Sequence, residues 1–91
     1  MFQFEAGAAA GQPARMRVLV TGAFGRIGLA GVERLLKEGH SVIAFDLPSR
    51  RNQRATRQFD DRVRIVWGDI RSPADIAPAV ADCDAIIHNA G

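Results

Sequence analysis

The chain has 91 residues, 47% of them hydrophobic and 24% charged, with a formal net charge of +2. That is one small globular domain at most, with the balance of an ordinary folded protein rather than of a disordered or fibrous one. No apolar run reaches the length of a membrane span, and Cys83 stands alone, which excludes an internal disulfide and a Cys-based zinc site.

Residues 1–15 are rich in Ala and Gly, with Phe2 and Phe4 as the only bulky side chains. They lack the basic start and apolar centre of a secretory signal. A flexible N-terminal extension is expected there, with either Met1 or Met16 as the natural start and a reducing, cytoplasmic setting. Arg17 to Thr21 predicts a short strand buried on both faces. A glycine-rich turn follows, and Ile27, Ala30, Leu35 and Leu36 recur near helical spacing from about Arg26 to Glu38, where Gly39 stops the helix. Ser41 to Asp46 reads as a second strand.

Pro48 opens an irregular stretch with a short helix expected around Gln53 to Phe59. Arg50, Arg51, Arg54, Arg57, Arg62 and Arg64 fall here, offset by Asp60 and Asp61. The run reads first as a solvated face and second as a phosphate-binding patch for a cofactor or acidic substrate. With only Phe59 interleaved it lacks the aromatic pattern of a nucleic-acid surface, so no nucleic-acid partner is expected. Arg62 to Trp67 predicts a third strand. Ser72-Pro73-Ala74-Asp75 starts a helix running to about Ala81, with Ser72 as N-cap, Pro73 at the first position and Asp75 in the first turn. Asp84 to His88 is a fourth strand, ending in the turn Asn89-Ala90-Gly91.

Strands alternating with helices imply right-handed crossovers and a parallel sheet. The expected fold is α/β, the N-terminal half of a Rossmann-type doubly wound sheet with its four strands in the order 3-2-1-4, occupying residues 16–91. Such a half sheet covers its faces only partly and leaves the fourth strand as an open edge. The chain is therefore expected to be the N-terminal part of a longer protein.

The turn off the first strand, Thr21-Gly22-Ala23-Phe24-Gly25-Arg26-Ile27-Gly28, carries the chemistry. Gly22 permits a sharp turn, Gly25 lets backbone N–H groups approach phosphate oxygens, and Gly28 lets the helix pack closely. The helix start then offers unpaired N–H donors and the positive end of its dipole to a pyrophosphate. Asp46, 18 residues beyond Gly28, ends the second strand where a carboxylate accepts bonds from ribose hydroxyls. Plainer readings stand beside these. Asp46 could be a solvated strand end and Asp69 a turn cap. His88 reads as a strand residue rather than a general base, His40 as an exposed turn residue, and Trp67 as core. Cys83 has no neighbouring basic group to make it a nucleophile.

Together these residues resemble the extended short-chain dehydrogenase/reductases, the NAD-dependent epimerases and dehydratases, over residues 17–91. The T-G-x-x-G-x-x-G spacing is that of the extended type, whereas the single-domain reductases use T-G-x-x-x-G-x-G. Gly68-Asp69-Ile70 matches the family's G-D-[ILV], and Ile86-Ile87-His88-Asn89-Ala90-Gly91 its fourth-strand ending. The resemblance implies that Arg26 and Ile27 present backbone N–H groups to the pyrophosphate and that Asp69 meets the adenine amino group. It implies further that Ile70 packs on the ring and that Asn89, Ala90 and Gly91 line the cofactor channel. The family's catalysis uses Tyr-x-x-x-Lys with a Ser or Thr. This chain has no tyrosine and a single lysine, Lys37, so those residues are expected beyond Gly91.

The function implied is the cofactor-binding part of an oxidoreductase, epimerase or dehydratase. Its substrate would be a nucleotide sugar or similar hydroxyl or carbonyl compound, meeting a part of the protein beyond this chain, and the reaction a hydride transfer. The alternative is a non-catalytic dinucleotide sensor of the same fold. NAD is expected over NADP because Asp46 would repel a 2′-phosphate, although Arg50 and Arg51 on the following loop argue the other way. No metal and no membrane partner are expected.

Overall fold

A computed structural model of the chain describes residues 2–6, 15–59 and 61–89. Its elements, in chain order, are β1 (Phe2–Ala6), β2 (Arg17–Thr21), α1 (Arg26–Lys37), β3 (Ser41–Asp46), α2 (Arg50–Ala55), a 3-10 turn (Thr56–Gln58), β4 (Val63–Trp67), α3 (Pro73–Ala81) and β5 (Ala85–Asn89). The five strands form one sheet in the order β1-β5-β2-β3-β4. The four expected strands are mutually parallel, with β2 between β3 and β5 and Val18 opposite both Val42 and Ala85. Their order is the 3-2-1-4 of a Rossmann-type half sheet.

Strand periodicity explains why β2 and β3 are apolar throughout. Successive side chains alternate between faces, and both faces are covered. Val18, Val20, Val42, Ala44, Ala85 and Ile87 join Val32 and Leu35 of α1 in one core layer. Leu19, Ile43 and Phe45 join Ala79 of α3 in the other. Helix α1 turns Gly28, Val32 and Leu35 inward. With Gly28 against the turn, the 100° step carries Ile27 and Ala30 to the outside, and Ile27 is 51% exposed. Both were expected on the apolar stripe.

Three further departures each trace to a named bond or strand pairing. The segment expected to be a flexible extension contributes β1, which pairs antiparallel with β5 from Phe2 opposite Asn89 to Ala6 opposite Ala85. It satisfies backbone groups on the edge expected to lie open. The short helix starts at Arg50, before the expected Gln53, because Ser49 caps it by accepting the Asn52 N–H at 3.1 Å. Asn52 then donates to the Leu47 carbonyl at 2.7 Å, fixing the chain between β3 and α2. His40 is buried, 8% exposed, rather than an exposed turn residue. Its Nδ1 accepts the Met16 N–H at 3.1 Å, a partner 24 positions away. Trp67 is partly buried against the core, its ring packing on Phe24 at 5.4 Å between centroids.

Among the described residues no helix is long and apolar enough to cross a membrane. Among the same residues no group of His, Cys, Asp and Glu could hold a metal ion.

Candidate functional site

The C-terminal ends of β2, β3 and β5 bring Thr21, Asp46 and Asn89 to one edge of the sheet, and the glycine-rich turn is built on that edge. Gly22 has φ +62, a left-handed conformation, and a side chain there would also meet the Asn89 carbonyl at 3.2 Å. Gly28 is required by contact. An added Cβ would lie 2.1 Å from the Gly22 carbonyl oxygen and within 2.9 Å of the Ala23 backbone. At Gly25 the only neighbour of an added Cβ among the described residues is the Gly22 carbonyl at 3.6 Å, so packing among them does not demand glycine at that position. Glycine there leaves this face of the turn open to a ligand.

Phe24 anchors the turn. It is 1% exposed, with its ring against Trp67 and, at 6.0 Å, Phe59. Its N–H donates to Asp46 Oδ2 at 3.0 Å, while Asp46 Oδ1 accepts the Leu47 N–H at 2.8 Å. Each oxygen retains further acceptor capacity, and the carboxylate is held rigidly at the strand end. No side chain caps the N-terminus of α1, and its first turn contains no acidic residue. Unpaired N–H donors and the helix dipole there favour an anion.

Gly22, Gly25, Arg26, Ile27, Gly28, Asp46 and Asn89 line a single cleft of about 540 Å3, together with Leu47, Ser49, Arg51 and Asn52. The last four are not among the expected site residues. The capped start of α2 brings Arg51 into the cleft on a helix rather than on the loop expected there. Arg50 instead lines a separate hollow with Arg54 and Arg57. Among the described residues no carboxylate pairs with Arg26 or Arg51.

Asn89 donates from Nδ2 to the Thr21 carbonyl at 2.8 Å, and its backbone N–H donates to Thr21 Oγ1 at 3.2 Å. Its Oδ1 is buried with no partner among the described residues. A buried acceptor left unpaired is costly, and a hydroxyl or amide donor of a bound ligand would satisfy it. Uncapped donors at α1, an open face at Gly25 and this orphaned oxygen together fit a dinucleotide. Ala90 and Gly91 lie outside the described residues.

Asp69 and Ile70 do not line this cleft. Ile70, 45% exposed, borders a hollow of about 250 Å3 on the α3 side of the sheet, shared with Thr21 and His88. His88 Nδ1 is engaged with Thr21 Oγ1 at 2.6 Å, so it is tied into the strand. Asp69 takes part in the turn, accepting the Arg71 N–H, and its carboxylate also binds the Arg71 guanidinium. Those side-chain and backbone hydrogen bonds hold its pKa down at about 2. Burial raises the Cys83 thiol above its ordinary value, which leaves little thiolate for nucleophilic chemistry.

An NAD(P)H-binding family model matches residues 22–91. Among curated relatives, 3-hydroxyacyl-CoA dehydrogenase type-2 of Drosophila melanogaster is 40% identical over 62 residues, 68% of this chain and 24% of that protein. The dTDP-glucose 4,6-dehydratase of Mycolicibacterium smegmatis is 37% identical over 76 residues, 80% of this chain and 23% of that protein. The chain thus spans about a quarter of the length of these relatives. The Bordetella bronchiseptica enzyme WbmG in complex with NAD superposes with a TM-score of 0.72 at 20% identity, over 91% of this chain and 27% of that one, a likeness of fold. The 3-ketoacyl-(acyl-carrier-protein) reductase from Brucella melitensis complexed with NADH gives 0.62 at 29% identity, over 71% and 27%.

Proposed function

The chain belongs to the NAD(P)H-binding family, in the short-chain dehydrogenase/reductase and epimerase/dehydratase group, and from that premise we propose that it holds NAD for hydride transfer. The reaction is the oxidation, epimerisation or dehydration of a nucleotide sugar or related hydroxyl or carbonyl compound. The cofactor supplies the hydride acceptor or donor, and this chain supplies its grip. Backbone N–H groups of Arg26 and Ile27 meet the pyrophosphate, with Gly25 leaving room for its oxygens. Asp46 accepts from the adenosine ribose hydroxyls. Asp69 accepts from the adenine amino group, Ile70 packs on the ring, and Asn89 lines the channel with Ala90 and Gly91. The sequence contains no tyrosine, and no proton-transferring role is assigned to any of these residues.

The observation that carries the choice of NAD is the Asp46 carboxylate, pinned by the N–H groups of Phe24 and Leu47 over the cleft. A 2′-phosphate there would face a fixed like charge. Arg51 borders the same cleft and would attract that phosphate, but its long side chain must give up rotamer freedom to do so, whereas Asp46 is already in place. Dissociation constants for NAD and NADP test the balance. NAD is expected to bind at least about tenfold more tightly, given the cost of juxtaposed like charges. Asp46→Ser should narrow that ratio, although it also loosens the turn by removing the Phe24 partner. Equal or tighter binding of NADP to the unmodified chain would mean that Arg51 prevails.

A further inference from the structure

Arg71 is the residue whose arrangement the grip on the cofactor leaves unexplained. Asp69 Oδ1 accepts its backbone N–H at 2.9 Å and its Nε–H at 3.1 Å. Asp69 Oδ2 accepts an Nη2–H at 2.9 Å. A carboxylate offers about four lone-pair positions, so three are filled and one remains, on Oδ2. The backbone beneath is fixed as well. The Asp69 N–H donates to Asp75 Oδ2 at 3.0 Å, the Ser72 N–H donates to the Asp69 carbonyl at 2.9 Å, and the Gly68 N–H donates to the Asp46 carbonyl at 3.0 Å.

An ion pair whose arginine side chain is 87% exposed contributes little to stability. What a two-pronged guanidinium does provide is geometry: its planar fork sets the carboxylate plane, which a lysine ammonium, a point charge, does not. We infer that Arg71 is a positioning residue for base recognition, orienting Asp69 so that its single remaining Oδ2 lone pair meets one N–H of the adenine amino group. This rests on the reading that Asp69 is the adenine acceptor. The pairing also cancels the Asp69 charge locally, which removes a repulsion toward the cofactor's phosphates. A base with a carbonyl oxygen in place of the amino group would set acceptor against acceptor, and a site built around such a bond rejects it strongly.

Calorimetric dissociation constants for NAD and for nicotinamide hypoxanthine dinucleotide are the test. They are measured on the full chain and on Arg71→Ala, Arg71→Lys and Asp69→Ala, with circular dichroism as the check of folding. The unmodified chain should prefer NAD by about tenfold or more, as befits one charge-assisted hydrogen bond. Arg71→Ala and Asp69→Ala should each bring the preference close to unity, and Arg71→Lys, which restores charge without the fork, should recover little of it. No preference in the unmodified chain, or an unchanged preference in Asp69→Ala, overturns the adenine reading and this inference with it. A preference lost in Asp69→Ala but kept in Arg71→Ala or Arg71→Lys overturns the role of Arg71 alone. So does tighter NAD binding in Arg71→Ala, which would make the guanidinium a blocker of Asp69.

Discussion

Replacing Gly28 by alanine is expected to abolish dinucleotide binding and to destabilise the chain. The new methyl would sit 2.1 Å from the Gly22 carbonyl oxygen and 2.8 Å from the Ala23 carbonyl carbon. These are backbone atoms, so no side chain can swing aside. Either α1 lifts from the turn or the turn opens, and both move the Arg26 and Ile27 N–H groups away from a common anion. Overpacking of this kind costs about 1–3 kcal/mol and occasionally more, and a clash with backbone belongs at the upper end. Gly25→Ala is the informative contrast, because its methyl meets only one atom, at 3.6 Å. Stability should change little while affinity falls, since the methyl would occupy space needed by the phosphates. Urea unfolding with calorimetric NAD titration reads both quantities. Normal NAD affinity in Gly28→Ala would show that the close approach of α1 to the turn is not what shapes the site.

Phe24→Ala should be the most damaging truncation near the site. The ring is buried between Phe59 and Trp67 and holds the turn on the α1 face of the sheet. Removing a buried phenylalanine costs about 3–5 kcal/mol, a large share of the 5–15 kcal/mol typical of a native domain. Ile27→Ala, three positions on and half exposed, should stay within about 0.5 kcal/mol. Chemical denaturation followed by circular dichroism separates the two. A loss below about 1 kcal/mol for Phe24→Ala, typical of an unexceptional substitution, would mean that the turn is anchored elsewhere.

The alternating apolar runs made the parallel strands and their order legible, because a strand covered on both faces must be apolar throughout. The cap at Ser72 was legible because it is a local bond, the Asp75 N–H donating to Ser72 Oγ. What escaped was set by distant or weakly patterned contacts. The start of α2 has no apolar periodicity, only the Ser49 cap, so Arg51 was expected on a loop rather than on a helix lining the cleft. His40 is buried through a bond to Met16, which spacing cannot reveal. The pairing of β1 with β5 joins opposite ends of the chain. Arg71 was the one accessible omission, since an arginine two residues after an aspartate is a local signal for the pairing observed. Within the site, the glycines and Asp46 were readable because turn geometry and strand ends have sequence signatures. The orphaned Asn89 oxygen was not, because it depends on packing between strands.

The glycine-rich turn and the end of β3 are expected to grip a dinucleotide. Titrating the 15N-labelled chain with NAD and following its amide resonances tests it most directly. The account predicts saturable shifts largest at Gly25, Arg26 and Ile27, which meet the pyrophosphate, and at Phe24 and Leu47, whose N–H groups donate to Asp46. Arg17, Ser41 and Asp84, at the opposite end of the sheet, should stay in place. Absence of saturable shifts, or the largest ones at that opposite end, would contradict it.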